Sequence, residues 1–311
     1  STLIDPNDPH DPIRRQSVPT RSELDAYQYE NVDSIMERDY LHNDSVIHRY
    51  PNKIAFLANE TCPSLCRHCT RRRLLVSEVE EVEAKPGNIE GLLKYLRDHK
   101  EVRDVLITGG DAFSYSNEKL KKLLEKLYSV PHVEIVRLGT RYPVTLPYRV
   151  DDELLGILGS YSPLYIMIQV NHPREITPEF ESVCDDLAEA GVVLGNQAVL
   201  LKGVNDDASL QKKMNELLLK NRVLPYYLYQ CDLSSGMHHF RTSIEKGLRI
   251  IDELIGNTSG LAVPTYIVEA PGGGGKVPLH PSTLFRPEFV GKSVLKNFEG
   301  DFFEYIEPEE F

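Results

Sequence analysis

The chain is poor in cysteine, with five in 311 residues, and its 35 Lys and Arg are outnumbered by 47 Asp and Glu, for a formal net charge of −12. An acidic balance argues against nonspecific binding to nucleic acid, which needs a basic surface. No apolar run approaches the roughly 20 residues that span a bilayer, so no membrane partner is expected. The opening stretch STLIDPNDPHDP lacks the apolar segment of a secretory signal, and a cytoplasmic location is the expectation. An odd number of thiols in a large chain without an export signal argues against a disulfide framework. There is no internal repeat and no low-complexity linker. With 41% apolar and 26% charged residues, the composition is that of a globular protein with a sizeable core.

Residues 1–50, rich in Pro, Asp and Arg, read as an extended arm with one helix near Glu23–Asp39. Short apolar runs of strand length then follow at Ile54–Ala58, Val105–Thr108, Val133–Leu138, Leu164–Val170, Val192–Leu200 and Val223–Tyr229. Helical stretches separate most of them. NEKLKKLLEKL places Leu120, Leu123, Leu124 and Leu127 on one face. Thr177–Ala190 opens on Thr-Pro-Glu, a cap with proline in the first turn, and puts Cys184 on its apolar face as a core residue. Ser243–Ile255 is a third such helix. Strands alternating with helices imply a parallel sheet. About six units suit a partial barrel or an open doubly wound sheet, and in either the ligand end is the C-terminal edge of the strands.

The distinctive motifs all follow strands. In TCPSLCRHCTRRR, Cys62, Cys66 and Cys69 fall within eight residues. A structural zinc site needs four protein ligands; His68 or the distant Cys231 would have to complete it. A [4Fe–4S] cluster usually takes four thiolates. Three would leave one iron open to chelate a small molecule. Arg67, Arg71, Arg72 and Arg73 would then offset the charge of the thiolate-ligated cluster; the alternatives are a solvated basic turn or a nucleic-acid patch. Far along the chain, APGGGGKVP presents Lys276 after Gly272, Gly273, Gly274 and Gly275. Val277 after the lysine excludes a phosphate loop of the Gly-Lys-Ser/Thr type. A lysine on a glycine-rich loop can instead form a Schiff base with a carbonyl cofactor, and a plain flexible loop is the other reading.

The C-x3-C-x2-C spacing after a first strand resembles the signature of radical S-adenosylmethionine enzymes. Together with HRYPNK at 48–53, TGGDAF at 108–113, LGTRYPV at 138–144, NHPREIT at 171–177, LGNQAVLLKGVND at 194–206, YYLYQCDLSSGMHHFRT at 226–242 and PTYIVEAPGGGGKVP at 264–278, nearly the whole chain resembles the lysine 2,3-aminomutase family. The resemblance implies a partial (β/α)6 TIM-like barrel of the radical SAM type. It implies an arm over 1–50 contributing to the cofactor site, a barrel with a pyridoxal-phosphate segment over 51–290 and a tail over 291–311. It implies three cofactors: a [4Fe–4S] cluster on Cys62, Cys66 and Cys69; S-adenosylmethionine at His68, Gly109, Gly110, Asp111 and Gln197; and pyridoxal phosphate on Lys276, held by Arg49, Tyr50, Lys53, Tyr229 and the glycines 272–275. Lys53 stands where the family has arginine, which keeps the charge and loses the bidentate fork. An electron donor such as flavodoxin or ferredoxin is implied as a partner, and a homo-oligomer is compatible. Family members complete a structural zinc site with cysteines near the C-terminus. No cysteine follows Cys231, so no structural zinc is expected.

The family chemistry moves an α-amino group to Cβ after a 5′-deoxyadenosyl radical removes a Cβ hydrogen. Arg71 resembles the residue that grips the substrate carboxylate. Asp232 and Glu269 stand where two aspartates bind the distal ammonium of lysine, and buried anions suit a cationic side chain. Glu269 reaches one methylene further than aspartate. The expected substrate is L-lysine, converted to β-lysine. The alternatives are ornithine or arginine, an ammonia-eliminating enzyme with the same cofactors, and, more remotely, a zinc-binding nucleic-acid module. At 169–172 the chain reads QVNH where many relatives begin with histidine, a departure with no account from sequence.

Overall fold

The computed structural model describes residues 3–76, 86–282, 284–285 and 292–306. Ten strands form one sheet in chain order: β1 Leu41–His42, β2 Val46–Tyr50, β3 Lys53–Asn59, β4 Asp104–Gly109, β5 Ile135–Thr140, β6 Leu164–Ile168, β7 Val193–Leu200, β8 Val223–Gln230, β9 Thr265–Ala270 and β10 Gly275–Leu279. Strands β3 to β9 pair in parallel, and the edges β1–β2–β3 and β9–β10 are antiparallel. A second, three-stranded antiparallel sheet is built from β11 Leu284–Phe285, β12 Lys292–Lys296 and β13 Phe302–Ile306.

The α-helices among the described residues are α1 Pro12–Ser17, α2 Arg72–Val76, α3 Ile89–Asp98, α4 Asn117–Tyr128, α5 Tyr142–Thr145, α6 Asp152–Leu158, α7 Pro178–Glu189, α8 Ala208–Lys220 and α9 Ile244–Leu254. Each gap between successive parallel strands holds one longer helix, α3, α4, α6, α7, α8 or α9, with the short α2 and α5 preceding α3 and α6, which makes six β/α units closed off by β9. This is the partial barrel expected. Among the described residues no helix is long and apolar enough to cross a membrane.

The crossover helices form where the sequence signals them. Ser116, Thr177 and Ser243 each accept a backbone N–H at the start of α4, α7 and α9. Leu120, Leu123, Leu124 and Leu127 are all fully buried, each worth about 2 kcal/mol of transfer free energy. Cys184 is buried in α7, and burial pushes its thiol up to about 12. The expected strand Val133–Leu138 begins two residues later, because the Val133 N–H closes a turn onto the Val130 carbonyl.

The arm departs from expectation. Its Glu23–Asp39 helix is absent; 3₁₀ turns occupy Arg21–Leu24 and Glu37–Tyr40, and the intervening chain carries no α-helical face. β1 and β2 belong to the main sheet, so the arm is continuous with the barrel across position 50.

Candidate active site

The C-terminal edge of the parallel strands carries the site. The cysteine loop follows β3, Gly109 ends β4 with Gly110 and Asp111 beyond it, Arg141 follows β5, Gln169 follows β6, Gln197 lies in β7, Tyr229 lies next to the end of β8 with Asp232 beyond it, and Glu269 sits in β9. Two cavities open here. The larger, about 300 Å³, is walled by Cys62, Cys66 and Cys69 at one end and by Asp232, Glu269 and Lys276 at the other. The smaller, about 130 Å³, is walled by Arg49, Tyr50, Lys53 and Arg137. Ile35, Arg71, Leu106, Gln197, Tyr229, Glu269 and Lys276 line both.

The three thiols are free. Burial pushes Cys62 up to about 12 and Cys69 up to about 11, and the neighbouring sulfurs push each the same way. Three clustered thiols on one cavity wall, with no fourth cysteine beside them, fit a cluster that leaves one iron open. The guanidinium at a cysteine is Arg141, whose Nη1 donates to Cys66 Sγ at 2.8 Å. Its Nη2 donates to Gln16 Oε1 (2.7 Å) and Glu175 Oε1 (2.5 Å), and its backbone N–H to Asp111 Oδ2 (2.6 Å). Sequence reading passed over Arg141, although it sits in the quoted LGTRYPV at a strand's C-terminal end.

The same network fixes His68. Asn171 and Gln169 each direct a side-chain amide nitrogen at His68 Nε2 from 3.2 Å. The orientation of Asn171 is set by the Val199 N–H donating to its Oδ1 at 2.8 Å. His68 therefore accepts at Nε2 and carries its proton on Nδ1. That Nδ1 is buried without a partner among the described residues, and burial holds the ring neutral, pushing its pKa down to about 3. The QVNH departure has its account here: Gln169 is a partner of His68.

Asp111 is committed to the scaffold. Its Oδ1 accepts from the Phe113 N–H at 2.9 Å and its Oδ2 from Arg141; burial still pushes the carboxyl up to about 6. A Cβ on Gly110 would stand 2.4 Å from the Thr61 carbonyl oxygen, so glycine is required there for backbone approach.

The arginines of the loop have partners in the arm. They are latched to carboxylates of the arm. Arg67 pairs with Glu23, Arg72 with Glu23 at 2.9 Å and Arg73 with Asp33 at 2.7 Å. Arg71 grips Glu37 through Nε (2.9 Å) and Nη2 (2.6 Å), and its Nη1 donates to Thr108 Oγ1 at 2.9 Å. CRHCTRRR is therefore neither a solvated turn nor a free basic patch. Arg71 keeps one N–H on each terminal nitrogen for a ligand in the cavities it lines.

At the other end, Lys276 is a strand residue and not a loop residue. It is the second residue of β10, paired in register with Glu269 of β9. Gly272, Gly273 and Gly275 have φ of +72°, +78° and +79°, the region that only glycine enters freely, and they turn the β9–β10 hairpin. The Tyr40 hydroxyl donates to the Gly273 carbonyl at 3.2 Å, and the Lys276 N–H donates to the Tyr50 hydroxyl at 2.9 Å. Gly273 packs on Tyr40 and Gly275 on Tyr50, and none of the four glycines lines either cavity. Lys276 Nζ is 2.5 Å from Glu269 Oε1, and Arg49 Nη1 is 3.5 Å from Glu269 Oε2. Arg49 also donates to the Ile35 carbonyl and stacks over Tyr40, while its Nε is buried without a partner among the described residues. Lys53 Nζ lies over the Tyr50 ring at 4.4 Å. Asp232 makes no hydrogen bond or ion pair among the described residues; burial, with the charge of Glu269 added, pushes its carboxyl up to about 7. Tyr229 lies 5.6 Å beneath Lys276 Nζ.

Known proteins resemble this chain in sequence and in fold. Residues 58–212 match the Radical SAM superfamily, and residues 251–311 match the family described as Lysine-2,3-aminomutase. The L-lysine 2,3-aminomutase of Clostridium subterminale is 46% identical over 307 residues, 99% of this chain and 73% of that protein. The glutamate 2,3-aminomutase of Clostridioides difficile is 45% identical over 301 residues, 96% of this chain and 70% of that protein. Among solved structures, Streptococcus suis SuiB bound to S-adenosylmethionine superposes with a TM-score of 0.52 at 14% identity, over 71% of this chain and 51% of that one. A radical SAM methyltransferase from Sphaerobacter thermophilus gives 0.50 at 14% identity, over 72% and 67%. These two share the fold. The identity to the aminomutases over nearly all of this chain, with the two family matches, makes it a radical SAM enzyme of the lysine 2,3-aminomutase family.

Proposed function

We propose that the protein moves the α-amino group of a cationic α-amino acid, lysine first, to Cβ, with pyridoxal phosphate seated between Lys276 and the wall of Arg49, Tyr50 and Lys53. Family membership implies a [4Fe–4S] cluster and S-adenosylmethionine; pyridoxal phosphate and the choice of substrate are the further steps. The observation that carries the reading is the shared wall. Lys276, Arg71, Gln197, Tyr229 and Glu269 border both the cavity that reaches the three cysteines and the cavity that holds the cations Arg49 and Lys53. The unpartnered, buried Nε of Arg49 beside Lys53 suits an anion such as a cofactor phosphate.

Bound together, the cofactors would supply a carbonyl for the substrate amine, a π-system that spreads an unpaired electron, and a radical able to take a Cβ hydrogen. The chain's own residues do the rest. Glu269 Oε1 holds the Lys276 ammonium, and the same carboxylate can take the lysine's proton when the amine reacts. Arg71, aimed by Glu37, presents its remaining N–H groups to the substrate carboxylate. Asp232, free of protein partners, receives the distal cation. His68 offers its Nδ1–H to S-adenosylmethionine, near the cysteines between which it lies in sequence. Ile35, Leu106 and Met167 supply apolar wall that keeps water from the reacting carbons.

The charge of the pocket decides among substrates. Glutamate, the substrate named for one relative, would bring a side-chain carboxylate towards Asp232 and Glu269, against like charge in a poorly hydrated site. Lysine, ornithine and arginine bring a cation. The test is turnover by the cluster-loaded enzyme with reductant, S-adenosylmethionine, pyridoxal phosphate and each of these four amino acids. A β-amino acid from lysine is the expected product. A β-amino acid from glutamate alone contradicts the assignment of Asp232.

A further inference from the structure

Outside the active site, His48, His99 and Glu101 bring two imidazole nitrogens and a carboxylate oxygen within 4.8 Å of one another. None of the three lines either cavity. They come from separate elements. His48 lies in β2, His99 caps the C-terminal end of α3, and Glu101 stands in the turn that leads to β4. Nothing in their sequence spacing announces a site.

Tyr95 arranges the pair of rings. Its hydroxyl is 2.7 Å from His48 Nδ1, and its ring stacks on His99 with centroids 4.0 Å apart. The two imidazoles stand edge to face at 5.7 Å. A partner on one ring nitrogen fixes the orientation of an imidazole and leaves the other nitrogen to ligate; for His48 the free atom is Nε2. His99 Nδ1 already meets Glu101 Oε1 at 2.8 Å. Tetrahedral ligands about 2.0–2.1 Å from zinc stand about 3.3 Å apart. Closing from 4.8 Å to that spacing takes side-chain shifts of up to about 1.5 Å, within the reach of half-buried histidines and an exposed glutamate.

We propose that His48, His99 and Glu101 bind one divalent cation of the zinc class, at a site separate from the cysteine loop. Two imidazoles and a carboxylate are a zinc donor set with one position left open. His42, whose ring lies 6.4 Å from that of His48, or a water completes it. The cation ties β2 to the turn between α3 and β4.

The experiment is equilibrium dialysis of the cluster-loaded enzyme against zinc, with zinc and iron measured in the same sample. One zinc per chain beyond the cluster iron is expected. His99→Ala and Glu101→Gln should each weaken zinc binding by about 100-fold and leave iron content and turnover unchanged. Zinc should raise the thermal midpoint of the wild type and not that of H99A. The proposal is overturned if the wild type takes up no zinc. It is equally overturned if uptake is the same in the wild type and both variants, or follows loss of iron, which would place the metal on the cysteines.

Discussion

The two ends of the active site are built on different principles. At the cysteine end, His68, Gln16, Asn171, Arg141 and Glu175 are all buried and mostly bonded to one another. They come from the arm, the cysteine loop and the turns after β5 and β6, and among the described residues what they leave over is Nδ1 of His68, Nε of Arg141 and the sulfurs. At the lysine end, Glu269 is shared by Lys276 and Arg49, and Asp232 has no partner among the described residues. The first end is a scaffold finished without its ligands. The second is a set of charges waiting to exchange partners. The contrast suits the chemistry: a radical source must be held in one geometry, whereas a lysine that forms and breaks bonds to substrate needs a partner that lets go.

Substitutions can break or sharpen that contrast. The largest effect is expected from Lys276→Ala, which should lower kcat by about 1000-fold or more while iron content and S-adenosylmethionine binding at the far end stay unchanged. Iron analysis and product assay together read both ends; loss of iron would show that the ends are not independent.

Asp232→Asn should come next, raising KM for lysine by about 100-fold, the effect of about 3 kcal/mol from truncating one partner of a buried charge pair. Titration adds a signature. Burial pushes the Asp232 carboxyl up to about 7, so below that pH it is neutral and cannot pair with a cation. In the wild type kcat/KM should fall as pH drops through about 7, and in D232N that limb should disappear. An unchanged pH profile would remove Asp232 from substrate binding.

Glu37→Gln should have an intermediate effect. It weakens the two-pronged grip on Arg71, so KM should rise by about 10-fold with kcat and iron content little changed. Glu37→Asp, which keeps the charge, should recover part of the loss. A fall in kcat at unchanged KM would mean that Glu37 does not act through the carboxylate-binding arginine.

The smallest effect is expected from Cys184→Ala. This cysteine is a core residue in α7, so its loss should cost about 1 kcal/mol of stability and lower the thermal midpoint by about 2 °C, with iron unchanged. Iron loss would make it a ligand.

Much of the barrel was legible because its signals are local. Apolar runs of strand length and the leucine spacing of α4 depend on neighbours in sequence, and the strand ends located the motif-bearing loops. The pairing of the arm with the cysteine loop was not legible. Glu23, Asp33 and Glu37 lie some 30 to 50 residues from their arginines, and the stretch read as a helix carries the carboxylates that face a basic loop. Lys276 read as a loop residue because four glycines precede it, yet positive φ at three of them tightens the hairpin that makes it a strand residue. Arg141 and Gln169 were silent in sequence because their partners, Cys66 and His68, are reached only across the barrel mouth.

The central claim is that both ends act on one substrate molecule. It is tested most directly with lysine deuterated at Cβ, incubated with the cluster-loaded enzyme, reductant, S-adenosylmethionine and pyridoxal phosphate, followed by mass analysis of the adenosyl product and of the amino acid. The account predicts deuterium on the adenosyl carbon together with formation of β-lysine. Adenosyl product free of deuterium, alongside unchanged lysine, would contradict it.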